Sequence, residues 1–446
     1  MLFKEYERIY ENKTQRSKQL FMKSSKIFPG GVSHNIRFFK PYPFFVTAAN
    51  DKYLIDIDDN HYTDYWMGHW ALILGHSPKP VTERLSEQIT RGMLYGTVNN
   101  LSVDLGETVQ KLIPKAESMR FSSTGSEATM YAVRLARAKT GRRVIAKVEG
   151  GWHGFNATLM QSVNFPFEIE EGIGIVQDEE QFIETIPFND LDRSLKILES
   201  IKDDLACIIV EPLLGGAGCI TAMKGYLHGL QEFARKNGSI FILDEIVTGF
   251  RLSIHGAADL YGLEPDLFTL GKILGGGLPI GAVCGDRDIM SLADPILRPD
   301  KDKLCAIGGG TFSANPLTMS AGVATLSYLM ENKNTIYPKI DSLGDTIRKE
   351  LTRLFLDSKI KVEVTGQGSL FLVHFLNDRV SRITGAVDVA ISNRELLRKY
   401  HVALLAKYNI FFLPLKMGAI SERHDITDID KILSATASII DSGILN

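Results

Sequence analysis

Between Ala206 and Lys272 the chain reads ACIIVEP (206–212), then SIFILDE (239–245), then LFTLGK (267–272). Each is a short apolar run that stops abruptly on a carboxylate or an amine. Runs of this length bounded by turn residues read as fully buried strands. Between the first two lies YLHGLQEFARKNG (226–238), which has helical period and closes on Asn237-Gly238, a helix stop. RVIAKV (143–148) adds a further strand upstream. Strand, helix and strand in repetition imply an α/β fold: a mostly parallel sheet with helices on both faces. In such sheets ligand-binding groups collect at the carboxyl ends of the strands. Glu211, Asp244 and Lys272 are all expected there.

Outward from this centre the pattern changes. Up to about residue 80 an N-terminal helix precedes short alternating segments, YLIDID (53–58) and HYTDYW (61–66), joined by turn residues. These read as a small antiparallel meander. From about 326 a helix leads into KVEVTGQGSLFLVHF (361–375), two strands around a Gly366–Gly368 turn, and later into the strand-like NIFFLPL (409–415) flanked by helices. The expected organisation is a large domain over 81–325, with 1–80 and 326–446 packing as one smaller α+β domain.

Composition excludes several function classes. The 446 residues are 44% hydrophobic and 23% charged, values ordinary for a globular protein. A net charge of −3 with dispersed signs supplies no basic footprint for nucleic acid. No apolar run approaches the roughly 20 residues that cross a bilayer, and the charged N-terminus lacks the pattern of a signal peptide. A cytoplasmic protein is expected. The four cysteines, Cys207, Cys219, Cys284 and Cys305, form no C-x-x-C pair, so neither a disulfide framework nor a zinc site is expected. His69 and His76 lack the carboxylate partners of a metal site.

Three stretches carry chemistry. In SSTGSEATMYAVRLARAKTG (122–141), small and hydroxyl residues precede a helix, with Ser126 the expected N-cap. A well-capped helix accounts for this; so does an anion site, where free N–H groups and the helix dipole meet a phosphate. There is no G-x-G-x-x-G and no Walker lysine. In FILDEIVTGFR (241–251), Asp244 either caps the next element or keeps a heterocyclic nitrogen protonated. Lys272 is the only charge between Leu267 and Gly285. It either snorkels to water or uses an amine whose pKa burial has lowered to attack an aldehyde. Together the three specify a phosphate cradle, an acid for a ring nitrogen and an aldehyde-binding lysine. The cofactor with all three handles is pyridoxal 5′-phosphate.

The same residues resemble the fold-type I, class III pyridoxal-phosphate aminotransferases, and within them the glutamate-1-semialdehyde aminomutase-like branch. The likeness runs from PGGV at Pro29 to DITDID at Asp425 and rests on STGSEAT, EGGWHG, VEP, LDEIVTGFR, TLGKILGGGLPIGA and GGTFSANPL. It implies a seven-stranded, mostly parallel sheet and a smaller α+β domain built from both chain ends. It implies that Lys272 holds the cofactor aldehyde and, once released, moves a proton between the substrate's Cα and the cofactor. Asp244 would pair with the ring nitrogen and Trp152, beside His153, would stack on the ring. Ser123, Thr124, Gly125 and Ser126 would surround the phosphate, and Glu211 and Ile246 would complete the cofactor site. Thr311 would reach the phosphate from the other subunit of a homodimer. Arg37 would hold a substrate carboxylate, with Phe38, Phe39, His69 and Trp70 shaping the pocket. Gly216 stands where ornithine-type enzymes carry a glutamate.

Departures fall on the substrate side. His34-Asn35-Ile36 replaces the branch's N-S-P, and Gly68-His69-Trp70-Ala71 replaces part of its G-S-W-G-P. The stretch LMQSVNFPFEIEEGIGI (159–175) lacks the glycine- and serine-rich gating loop, and Lys416–Ile420 lacks the glutamate of F-E-A-G-F. The resulting expectation is an intermolecular aminotransferase, taking a carboxylate-bearing amino donor, β-amino or bulky to suit a roomy and partly aromatic pocket, and a keto acid or aldehyde. The alternative is glutamate-1-semialdehyde 2,1-aminomutase, with an amino-acid racemase or epimerase behind it. A non-catalytic binding protein has no use for Lys272 and Asp244.

Overall fold

The computed structural model describes residues 2–167, 172, 174–175, 181–297 and 305–445. Part of the stretch 159–175, where the gating-loop comparison falls, lies outside the described residues. The chain divides into two compact units, one comprising Lys79–Tyr337 with Thr384–Ala390, the other Met1–Pro78, Pro338–Ile383 and Ile391–Asn446.

The larger unit is built on seven strands: β1 (Ser118–Ser122), β2 (Val144–Val148), β3 (Ile183–Ile186), β4 (Leu205–Val210), β5 (Ile240–Asp244), β6 (Leu267–Gly271) and β7 (Gly281–Gly285). Their order across the sheet is β1-β7-β6-β5-β4-β2-β3. Only β7 runs against its neighbours, β6 and β1; the other pairings are parallel. Every residue of β4, β5, β6 and β7 is buried. This explains why those that were read show continuous apolar runs rather than alternation: both faces are covered. The helix Gly125–Thr140 lays Ala128, Ala132, Leu135 and Ala136 into that core. The helix Tyr226–Asn237 ends on Gly238, whose φ of 66° is the left-handed cap that glycine adopts without strain. A short ribbon, Leu213–Leu214 against Ile220–Thr221, follows β4.

In the smaller unit the helices Leu2–Lys13 and Gln15–Ser24 precede an antiparallel sheet of Val46–Asn50, Tyr53–Asp56 and His61–Asp64. Ile410–Phe411 joins it parallel to the third strand. Val362–Thr365 and Leu370–Phe375 form the hairpin expected around Gly366–Gly368. Phe44 stacks on Tyr62 with ring centroids 4.5 Å apart and meets Phe39 and Phe411 edge-on or tilted in a continuous aromatic core.

No chain break falls at the expected boundary of 325, because Pro316–Asp357 is a single helix, and the division comes at Tyr337/Pro338. Thr384–Ala390 belongs to the larger unit, where the Thr384 carbonyl accepts the Asn189 amide at 2.9 Å. Among the described residues no helix is long and apolar enough to cross a membrane, and no group of three His, Cys, Asp or Glu is placed to hold a metal.

Candidate active site

The sheet register does the first part of the assembly. Leu243 lies opposite Val210, and Asp244 opposite Thr269. Glu211, Asp244 and Lys272 therefore leave three adjacent parallel strands, β4, β5 and β6, at the same edge.

Asp244 is 3% exposed. Its Oδ2 lies 2.7 Å from Nδ1 of His153, while Oδ1 accepts the Thr269 hydroxyl at 2.8 Å and the Ile246 N–H at 3.1 Å. Burial pushes the His153 pKa down, although Asp244 pulls it up. Nε2 of His153 is buried without a hydrogen-bond partner. Glu211 is also buried. Its Oε1 accepts the Trp152 N–H at 2.9 Å and its Oε2 the Gly215 N–H at 3.1 Å. Burial and the nearby Asp244 raise its pKa to about 8, against the pull of those two N–H groups. Lys272 follows β6 at a φ of 46° and makes no ion pair within 4 Å among the described residues. Burial lowers its pKa, while Asp244 and Glu211 raise it. The outcome is an amine made easier to deprotonate, which is the state that attacks carbonyl carbon.

The helix beginning at Gly125 supplies the second part. Its N-cap is Thr124, not the expected Ser126, and Thr124 forms a capping box with Glu127. The Glu127 carboxylate accepts the N–H groups of both Ser123 and Thr124, at 2.8 and 3.0 Å. Those two residues therefore do not offer their main-chain donors to a ligand. The N–H groups of Gly125 and Ser126 have no acceptor among the described residues, and they point along the positive end of the helix dipole. Ile246 packs over this turn: a Cβ on Gly125 would lie 2.5 Å from its Cδ1.

A four-residue strap, Trp152–Phe155, ties the two parts together. The Trp152 main-chain N–H donates to Glu211, and the residue is 40% exposed. His153 binds Asp244 through its ring, and its carbonyl accepts the Thr129 hydroxyl of the helix. Gly154, at φ 95°, approaches so closely that a Cβ would lie 2.6 Å from Ser126 Cα. Phe155 N–H donates to Ser126 Oγ at 3.0 Å, which leaves the Ser126 proton free to point elsewhere. Gly216 lies against Trp152: a Cβ there would be 3.4 Å from the tryptophan's Cβ.

Thr311 is exposed, as are its neighbours Gly308–Gly310 and Phe312. Arg37, His69 and Trp70 belong to the smaller unit. Arg37 is exposed and donates to Ser33 Oγ at 3.2 Å. His69 lies 5.7 Å from His34, ring to ring, and 4.4 Å from Trp66. Trp70 is 6% exposed and donates its indole N–H to the Met417 carbonyl at 2.9 Å. Phe39 is likewise buried in the aromatic core rather than presented to solvent, whereas Phe38 is 42% exposed. Both Trp70 and Phe39 are large apolar groups with apolar partners at hand, and packing claims them.

Reading the residues alone missed Thr269, Thr129 and Glu127. A signal existed for two of them. Thr269 is the one polar residue within an apolar strand, and T-G-S-E carries the spacing of a capping box.

The residues fit a phosphorylated pyridine aldehyde. Among the described residues, the N–H groups of Gly125 and Ser126 have no acceptor and are free to take an anion, buried Asp244 has acceptor capacity beyond its contacts with Ile246, Thr269 and His153, and Lys272 makes no ion pair and has a lowered pKa. The family model for class III aminotransferases matches residues 37–398. The chain is 37% identical to the glutamate-1-semialdehyde 2,1-aminomutase of Methanothermobacter thermautotrophicus, covering 97% of this chain and 100% of that one. It is 38% identical to the protein of the same name from Methanocaldococcus jannaschii, covering 96% and 99%. Among solved structures, an omega-transaminase from Sphaerobacter thermophilus superposes with a TM-score of 0.89 at 28% identity, over 96% and 97% of the two chains. A transaminase with pyridoxal phosphate bound superposes at 0.85 with 30% identity, over the same shares.

Proposed function

Because this chain belongs to the class III aminotransferases, enzymes that work with pyridoxal 5′-phosphate, we propose that it shifts an amino group on a small carboxylate-bearing substrate, with glutamate-1-semialdehyde 2,1-aminomutation the first reaction to test. The observation that carries this is similarity along the whole length, 37% over 97% of the chain, to a protein of that name. The residues alone put the intermolecular reaction first; the curated relatives reverse that order.

The cofactor, when bound, supplies a heterocycle that withdraws electrons from the substrate's reacting carbon. The protein's part follows from its own groups. The N–H groups of Gly125 and Ser126, with the Ser126 hydroxyl, bind the phosphate. The Asp244 carboxylate would face the ring nitrogen, where a nearby anion favours the protonated form of the ring. Trp152 offers its exposed face to the ring. Lys272, its amine made less basic by burial, removes and returns the proton at the substrate carbon. Arg37, exposed and with no carboxylate partner among the described residues, takes the substrate carboxylate as a two-pronged donor. In this reading the working protein is a cytoplasmic homodimer, and the exposed Thr311 of one copy completes the phosphate site of the other.

The second reading, transfer between two molecules, is favoured by the four substrate-side departures from the aminomutase branch, at 34–36, 68–71, 159–175 and 416–420. One assay separates the two. The cofactor-loaded enzyme is given glutamate-1-semialdehyde alone, and 5-aminolevulinate is measured; the expected result is steady turnover without a second substrate. If none forms, and the yellow cofactor is instead bleached by an amino donor and restored by a keto acid, the intermolecular reading replaces the first.

A further inference from the structure

We propose that Lys416 is a specificity-determining residue, whose amine takes a second carboxylate on the substrate while Arg37 holds the first. This rests on the reading of Arg37 given above and goes beyond it. The substrate class becomes a dicarboxylic amino or keto acid, a partner suited to transfer between two molecules.

The starting point is an amine without a counter-charge. Lys416 is mostly buried but not sealed from solvent. An ammonium so placed is costly unless it is paired. Among the described residues no carboxylate acts on it; burial and the Arg394 guanidinium both push its pKa down. Arg394 is exposed and opens the helix Arg394–Tyr408. The acid beside it in sequence, Glu395, is already taken by two nitrogens of Arg398, at 2.8 and 2.6 Å. The segment 416–420 holds no acid of its own. The anion that would balance Lys416 is therefore not supplied by the fold around it.

The backbone fixes the root of this lysine. Leu413–Lys416 is a turn closed by the Lys416 N–H on the Leu413 carbonyl at 2.9 Å. Its third residue, Leu415, has a φ of 69°, where a turn with proline second favours glycine. Strain of this kind persists where the surroundings impose it, and it clusters at functional sites. The Leu415 N–H donates to His401 Nδ1 at 3.2 Å, and the Met417 carbonyl accepts the Trp70 indole N–H at 2.9 Å. Both neighbours of Lys416 are thus pinned.

Trp70 joins this turn to the side of Arg37. It ends a turn, Met67–Trp70, whose four successive residues have φ of 45°, 59°, 61° and 66°. That turn sets His69 5.7 Å from His34, ring to ring. Burial and the Arg37 guanidinium together lower the pKa of His34, and no acid opposes them. Arg37, His34, His69, Trp70, Met417 and Lys416 are consecutive neighbours within the smaller unit. The series is cationic at both ends, which a substrate with one carboxylate would use only in part.

The test uses two unreactive five-carbon probes on the cofactor-loaded protein, glutarate with two carboxylates and pentanoate with one. Dissociation constants are read by calorimetry, without turnover. The wild-type protein is expected to bind glutarate about tenfold more tightly or better, the size of a hydrogen bond between charged groups. Lys416→Met, similar in length and uncharged, should bring the two constants to within about threefold, and Lys416→Arg should restore most of the preference. A purely structural lysine would behave otherwise: its loss would lower the urea midpoint and leave the ratio intact. The proposal expects a midpoint at or above that of the wild type, because a mostly buried, unpaired cation is removed. Lys416→Gln serves as a second uncharged variant should the methionine form fail to fold. The proposal is overturned if the wild type does not prefer glutarate, or if the uncharged variant keeps the preference. Arg37→Met should weaken both probes. If it weakens neither, or if the wild type binds neither, the reading of Arg37 is overturned instead, and the proposal with it.

Discussion

At the scale of single residues, Lys272 and Asp244 stand out in the sequence because their charges end apolar strands. At Ser123 and Thr124 the main chain adds something that the sequence does not show. Their side chains suggest a phosphate cradle, yet Glu127 consumes both N–H groups, and only the two after them stay open. Which of four neighbouring donors is free depends on one carboxylate three or four residues downstream. Two predictions belong here. Lys272→Ala should lower turnover by about 10²–10⁴-fold, the range for a positioned acid–base group, while the protein still binds the amine form of the cofactor; loss of that binding would mean the lysine has a different task. Ser126 accepts from Phe155, so its own proton is available to an anion. Ser126→Ala should therefore weaken pyridoxal phosphate by roughly fivefold, about 1 kcal/mol, and leave unphosphorylated pyridoxal unchanged. Equal weakening of both would contradict a hydroxyl aimed at phosphate.

Among elements, the informative strand is β7. Its sequence, GAVCG, has two glycines and little of the β-branched character that marks β4 or β5, so the residues alone did not reveal it. It is also the one strand running against the others, and its first residue, not its last, meets the site. Gly281 pairs with Ser122 and Gly271, and a Cβ there would lie 2.1 Å from the Thr124 carbonyl oxygen. That oxygen belongs to the N-cap of the phosphate helix, which cannot yield as a flexible side chain would. Gly281→Ala should cost about 1–3 kcal/mol of stability, read as a lower urea midpoint. An unchanged midpoint would show that the strand can slide away from the cap at no cost. The edge strands β1 and β3 were also missed, being short and partly polar, and lone strands of that kind carry little pattern.

Across the whole molecule, the α/β centre and the α+β ends were legible because their periodicities differ, whereas the exact divisions were not. A helix that continues from 316 to 357 has no local signal at the point where one unit ends. One property of the smaller unit shows in its response to acid. His401 and His424 are buried, and burial holds both near a pKa of about 3. An unfolded chain binds a proton on each below about pH 6.5, while the folded chain stays neutral. Their contribution is therefore fully present above that pH and is lost as the pH falls toward 3, at about 1.4 kcal/mol per unit for each histidine. His401→Asn, which keeps an acceptor near the Leu415 N–H, should be less stable than the wild type at pH 7, and the gap should narrow by that slope between pH 6 and 5 in urea titrations. Parallel stability curves would exclude the mechanism.

The assignment of Thr384–Ala390 to the larger unit has an hereditary consequence. The chain passes between units at 78/79, 337/338, 383/384 and 390/391. Neither unit is one uninterrupted stretch of coding sequence. No single contiguous exchange of coding sequence carries either unit whole: transplanting the larger takes two separate inserts and the smaller three.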